Sequence, residues 1–136
     1  MGRLPSPDPT DLASVPLFSS LSSSDLTEMA AWFEAKEVAE GVRLVGEGTT
    51  GYSFFVIGEG GAEVTAEGAE IASLGAGDFF GEGALLGAGR RTATVTTTAP
   101  SRVFVLFGND FARLQARHPQ VAAELRDAMR RRLERD

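Results

Sequence analysis

A chain of 136 residues, 43% of them hydrophobic and 24% charged, has the proportions of one soluble globular domain that can build its core without disulfides or a structural metal. It has no cysteine and one histidine, His118, which excludes a disulfide framework, an iron–sulfur cluster, a thiol nucleophile, a zinc knuckle and any multi-histidine metal site. Nineteen acids against thirteen bases leave a formal charge of −6, which opposes non-specific attraction to nucleic acid or to an anionic membrane surface.

Taken in chain order, residues 1–11 are expected to be an extended lead-in, because Pro5, Pro7 and Pro9 crowd its first nine positions. The domain proper is expected over residues 12–136. The start has one charge and no apolar run, so no secretory signal is expected, and no segment approaches the roughly 18 apolar residues of a membrane span. A cytoplasmic location follows as the expectation. The preference for arginine over lysine, with abundant alanine and glycine, suggests a bacterial coding bias.

Ser22-Ser23-Ser24-Asp25 offers capping oxygens ahead of Leu26, Met29, Ala30 and Phe33, whose spacing predicts an amphipathic helix of about three turns. From Lys36 to Leu106 the pattern changes to short runs rich in Val, Ile, Phe and Thr, punctuated by glycine. Strands are expected at Val42–Val45, Tyr52–Ile57, Ala62–Ala66, Ile71–Leu74, Thr92–Thr97 and Arg102–Phe107, with the regular spacing of a sandwich or barrel. Gly108-Asn109-Asp110 then caps a helix through Arg117. Pro119 restarts the chain into a last helix with one apolar stripe, Val121, Leu125, Ala128, Met129 and Leu133. The plan is mainly β with an N-terminal helix and two C-terminal helices.

The chemistry concentrates between two strand patterns, in Gly77 to Val95. Glycines at 77, 81, 83, 87 and 89 bracket a short apolar piece, and Glu82 to Leu86 is long enough for one helical turn. The N–H groups at the start of such a turn attract an anion if glycines let it approach the backbone. Arg91 adds a fork of donors that can grip two phosphate oxygens at once, and Thr92 adds a hydroxyl. These residues describe a phosphate pocket, with a glycine-rich loop carrying surface arginines as the plainer reading. Glu82 is out of place beside a phosphate unless it has a donor of its own, such as a sugar hydroxyl; it could equally complement the helix dipole.

The run Phe80-Gly81-Glu82, a small residue, Leu85-Leu86, a short gap and Arg91-Thr92-Ala93 with Val95 resembles the phosphate-binding cassette of the cyclic nucleotide-binding domain family. Pro16-Leu17-Phe18, Leu21-Ser22, Leu26, Gly41, Leu44, Gly48, Ile57, Gly60, Val64, Leu74, Gly77-Asp78-Phe79, Phe111, Leu114, His118-Pro119 and Val121 extend the resemblance over about residues 12 to 134. It implies a jelly-roll-like antiparallel β-roll flanked by helices, holding one cyclic nucleotide between the roll and the last helix. On that resemblance Arg91 pairs with the exocyclic phosphate oxygens and Glu82 accepts from the ribose 2′-hydroxyl. Thr92 donates to phosphate or base, the backbone amides of Gly83, Ala84 and Thr92 complete the phosphate shell, and Gly81 allows close approach. Gly83 departs from the family, which mostly has an apolar residue there. Thr92 permits cAMP or cGMP, and the bacterial composition favours cAMP. Arg126, Met129 and Arg130 are candidate contacts on the base side, with ordinary helix surface and core as the plainer reading.

The arginines at 130–132 and 135 suit the last turns of a helix, so nucleic acid is not an expected partner. In the catabolite activator group a helix-turn-helix domain would follow at this point and read DNA. His118 is expected as a capping or surface residue. No serine has a nucleophile-and-base neighbourhood, and one histidine cannot furnish a cupin-type metal site, so no catalysis is expected. The expected output is movement of the C-terminal helices, read by a homodimer partner through the last helix or by an unknown effector. The alternatives are a non-binding dimerisation module using Val121, Leu125, Ala128 and Leu133, or a fragment of a larger transcription factor, channel or enzyme.

Overall fold

Phe54-Phe55-Val56-Ile57 and Val103-Phe104-Val105-Leu106 carry no polar residue on either face, the pattern of strands covered from both sides. In the computed structural model, which describes residues 5–48, 53–81, 91 and 93–135 (of 132–135 the backbone only), they are the centre of the molecule. They form β3 (Ser53–Glu59) and β8 (Ser101–Phe107), antiparallel neighbours with Phe55 opposite Val105. With β1 (Glu34–Val38) and β6 (Phe79–Phe80) they make a sheet of order β1-β8-β3-β6. A second sheet, β2-β7-β4-β5, contains β2 (Arg43–Val45), β4 (Gly61–Ala66), β5 (Ala69–Gly75) and β7 (Thr94–Thr97). Every pairing is antiparallel, and the alternation of strands between two facing sheets is a jelly-roll, the β-roll expected from the sequence.

The two faces of the first sheet serve two cores. Phe55, Ile57, Val103 and Val105 point inward against Ala62 and Val95 of the second sheet, while Phe54, Val56, Phe104 and Leu106 point outward under the helices. Helices α1 (Pro9–Ala13), α2 (Ser23–Ala30), α3 (Gly108–Arg117) and α4 (Pro119–Arg135), with a 3-10 turn at Pro16–Phe18, cover that outer face. A chain of ring contacts, Phe18 to Phe33 to Phe54 to Phe79, runs through it at centroid separations of 6.0, 6.4 and 5.7 Å.

Several expectations shift. Helix α2 stops at Ala30, so Phe33 lies beyond the helix that its spacing suggested; the turn bonds Trp32 N–H to Met29 O and Phe33 N–H to Ala30 O still deliver it to the core. The lead-in is shorter than expected, because Asp8 and Asp11 close a capping box that starts α1 at Pro9. Pro7 is buried, and the Pro5 carbonyl accepts from Ala35 N–H at 2.8 Å, so even this stretch lies against β1. The Thr10 backbone N–H, then its hydroxyl, hold the exposed Asp8 carboxyl below the ordinary aspartate range.

The apolar stripe of α4 is used within the chain. Val121, Leu125 and Ala128 are 5%, 1% and 6% exposed and belong to the outer core. Packing against α3 and the 3-10 turn leaves these three residues no surface for a second copy in this arrangement, and the side chain of Leu133, the fourth residue of the expected seam, lies outside the described residues.

Candidate functional site

The chain between β6 and β7 passes from the first sheet to the second, and its two described ends meet. Phe80 stacks on Phe55 with centroids 4.8 Å apart and planes 9° from parallel, which sets the next residue, Gly81, over the backbone where β3 begins. Gly81 has φ +79°, and a Cβ there would stand 2.7 Å from the Ser53 carbonyl oxygen and 2.9 Å from Nη1 of Arg91. Glycine is required on both counts, the left-handed backbone and the closeness of the guanidinium. The turn before β6 is fixed as well. Gly77 N–H donates to Ile57 O at 2.7 Å, Ile57 N–H donates to Asp78 O at 2.9 Å, and the Asp78 carboxylate accepts from Gly75 N–H at 2.8 Å.

Arg91 is half-buried, and its Nη2 donates to the Ser53 carbonyl at 2.8 Å. Its own carbonyl accepts from Gly48 N–H at 2.8 Å. A planar, permanently charged group tied at one nitrogen to a backbone carbonyl has a set orientation, which is what bidentate recognition of an oxyanion requires.

Of the residues expected in the pocket, Gly81 and Arg91 are brought together, and Glu82, Gly83, Ala84 and Thr92 lie outside the described residues. The candidates on α4 are employed otherwise in this arrangement. Met129 is 0% exposed and packs in the outer core, Arg126 lies over the Phe111 ring at 5.5 Å, and Arg130 is exposed, the plainer of the two readings for each in this arrangement. His118 closes the end of α3, with its N–H on Leu114 O, and its Nε2 stands 3.0 Å from a Glu28 carboxylate oxygen on α2. It is the cap and surface residue that its position suggested.

Sequence reasoning did not find Ser53 or the role of Gly48. Both contribute backbone groups, which leave no side-chain signature; the only available signal was the recurrence of glycine ahead of β3. Among the described residues no group of three or more His, Cys, Asp or Glu is placed to hold a metal ion, and no helix is long and apolar enough to cross a membrane.

The Gly81 contact also yields a prediction. Gly81→Ala combines an unfavourable backbone angle with contact against a carbonyl oxygen, and should lower unfolding free energy by about 2–4 kcal/mol. Urea denaturation should show the loss as a lower midpoint at unchanged slope.

Comparison with known proteins identifies the family and the fold. Residues 35–118 match the family described as "Cyclic nucleotide-binding domain". The chain is 38% identical over 104 residues to a cAMP-dependent protein kinase regulatory subunit of Eremothecium gossypii, covering 76% of this chain and 23% of that protein. It is 34% identical over 115 residues to a cyclic nucleotide-gated potassium channel of Rhizobium etli, covering 85% of this chain and 32% of the channel. The solved structure described as "cAMP bound PfPKA-R (141-441)" superposes with a TM-score of 0.79 at 26% identity, over 93% of this chain and 43% of that one. The chain thus spans less than a third of the length of either curated relative.

Proposed function

The chain belongs to the cyclic nucleotide-binding domain family, and on that premise we propose that it is a non-enzymatic sensor that takes one cyclic nucleotide, cAMP in preference to cGMP, into the segment between β6 and β7. The observation that carries this reading is the Arg91 guanidinium, oriented by the Ser53 carbonyl and standing against Gly81. Arg91 pairs with the exocyclic phosphate oxygens. Backbone amides of Gly83, Ala84 and Thr92 complete the phosphate shell, the Thr92 hydroxyl adds a donor, and Glu82 accepts from the ribose 2′-hydroxyl. A carboxylate beside a phosphate is tolerable on these terms because the sugar hydroxyl satisfies it. The preference for cAMP rests on the arginine-, alanine- and glycine-rich composition, read as bacterial; the relatives include both a cAMP-dependent and a cGMP-dependent kinase and do not separate the two nucleotides.

Capture of the ligand acts as a signal only if the bound arrangement differs from the free one at a surface something else can read. Helices α3 and α4 follow directly on β8 and pack on the outer core, and they are the elements proposed to move. The effector is a further segment of a longer protein or a separate chain, as the relatives' kinase and channel roles suggest.

Thermal melting tests the binding. At a hundredfold excess over Kd, cAMP should raise the melting temperature by roughly 5–10 °C, and 5′-AMP, which lacks the cyclic diester, by far less. Equal shifts with both would contradict a cyclic-nucleotide site. The role of Glu82 has its own test. Glu82→Gln should weaken cAMP by about 5- to 13-fold, the roughly 1–1.5 kcal/mol by which a hydrogen bond to a charged acceptor exceeds one to a neutral acceptor, yet weaken 2′-deoxy-cAMP hardly at all. Equal weakening of both ligands would remove the 2′-hydroxyl from the assignment.

A further inference from the structure

Among the described residues four strands stand at sheet edges, β1 and β6 in the first sheet, β2 and β5 in the second. β6 has two residues, β2 slips its register between Arg43 and Val45, and β5 is interrupted opposite Val64 and Thr65, where Ile71 falls out of the pairing. Short or bulged edges resist the addition of another strand. β1 is built differently. Its five residues pair with β8 in unbroken register, from Glu34 opposite Val105 to Val38 opposite Ser101.

The outer side of β1 is used already, but only in part. Alternate residues of an edge strand turn their N–H and C=O away from the sheet. Ala35 is one of these, because its N–H donates to the Pro5 carbonyl at 2.8 Å, and Glu37, two residues on, is the next. Pro5 thus shows that the edge accepts a carbonyl from an extended neighbour. At Glu37 nothing among the described residues takes the outward pair.

The side chains beside that stretch define the partner's chemistry. Glu37 and Glu59 stand on either side of Arg102 in the register of the first sheet. Arg102 is shared between Glu37, at 3.6 Å, and Asp11 of α1, at 3.5 Å, and Glu59 forms no ion pair among the described residues. Three carboxylates around one guanidinium leave an excess of negative charge. A cleft of about 380 Å³ opens between Glu37 and Glu59, walled by Val38, Ala39, Pro100 and Ser101.

We propose that β1 is the docking edge for an extended peptide of a partner protein, which adds as a further antiparallel strand through the N–H and C=O of Glu37 and places an arginine or lysine side chain in the cleft between Glu37 and Glu59. The main-chain bonds supply affinity and the basic side chain supplies specificity. The chain's formal charge of −6 favours the approach of such a partner. Glu59 and Ser53 are the two ends of β3, roughly 20 Å apart at the rise of a strand, so this edge and the segment around Arg91 are separate and can be filled together.

NMR titration of the isotope-labelled full chain with acetyl-Thr-Val-Arg-Val-Thr-amide tests this. Saturable shifts are expected at the amides of Glu37, Ala39 and Arg102, with those of β5 unmoved, and the Glu37 N–H should become protected from exchange. Glutamate in place of the peptide's arginine should weaken binding roughly tenfold or more, since it meets like charges. Methylating the backbone nitrogen of that arginine, which removes its bond to the Glu37 carbonyl, should weaken binding about 2- to 13-fold. Glu59→Gln should raise Kd about two- to fivefold. Glu70→Gln, the same charge change on the exposed β5 edge, should leave Kd unchanged. Equal binding of the glutamate peptide, equal losses in Glu59→Gln and Glu70→Gln, shifts centred on β5, or no saturation at about 5 mM peptide would overturn the proposal. So would acetyl-arginine-amide binding as tightly as the pentapeptide, which would leave a cation pocket without strand addition. A Glu37 N–H already protected in the free protein would overturn it as well, since another part of this chain would then hold the edge.

Discussion

Arg91→Ala is expected to weaken cyclic-nucleotide binding by about 30- to 4,000-fold, corresponding to the roughly 2–5 kcal/mol lost when one partner of a buried, hydrogen-bonded charge pair is removed. The cost is high because the phosphate would remain desolvated against neutral amides with no counter-charge. Stability should suffer far less. The folded protein loses the bond from Nη2 to Ser53, about 1 kcal/mol, and keeps both cores, neither of which includes Arg91. Arg91→Lys separates charge from geometry. A lysine keeps the charge but not the planar fork, so its affinity should fall between the parent and the alanine variant. The check is a direct titration of each variant beside a urea melt, and an alanine variant that binds like the parent would remove Arg91 from the site.

The largest expected effect on stability is that of Phe104→Ala, about 3–5 kcal/mol. Phe104 is 1% exposed in the centre of the covered sheet, and its ring presses on the β3 backbone so closely that a Cβ on Gly58 would stand 2.7 Å from Cζ. Arg102 lies over the same ring, 5.3 Å from its centroid, and is itself held by Asp11 of α1 at 3.5 Å. Removing the ring therefore opens a cavity between sheet and helices and loosens the tie to α1. A loss of this size is a large share of the 5–15 kcal/mol typical of a whole domain. Guanidinium denaturation at a fixed temperature should show it, and Phe104→Leu should recover part of it. A loss below about 1 kcal/mol would mean that the outer core is not the cooperative centre the packing indicates.

Legibility in the sequence followed the strength of the local signal. β3 and β8 could be read because being covered on both faces demands unbroken apolar runs. β1 could not, since Glu34-Ala35-Lys36-Glu37-Val38 is an edge strand with a single buried residue, and β6 could not because two residues carry no period. The spacing of Leu26, Met29, Ala30 and Phe33 identified the right buried face and overstated the helix, because an apolar residue just past a helix end can still reach the core through a tight turn. Met129 satisfied two descriptions at once, apolar stripe and base-side contact, and only packing separates them. At the site, Arg91 and Gly81 were legible as a charged fork and a permissive glycine. The Ser53 carbonyl and the Gly48 N–H were not, since every residue but proline carries both groups and only the fold aims them.

The central claim is that this chain binds a cyclic nucleotide through Arg91. Its most direct test is calorimetric titration of the purified protein with cAMP and cGMP in parallel, after mass spectrometry has shown that no nucleotide remains from the cell. The account predicts saturable binding, micromolar or tighter, at one site per chain, stronger for cAMP. No heat with either nucleotide, from protein shown to be folded and ligand-free, would contradict it.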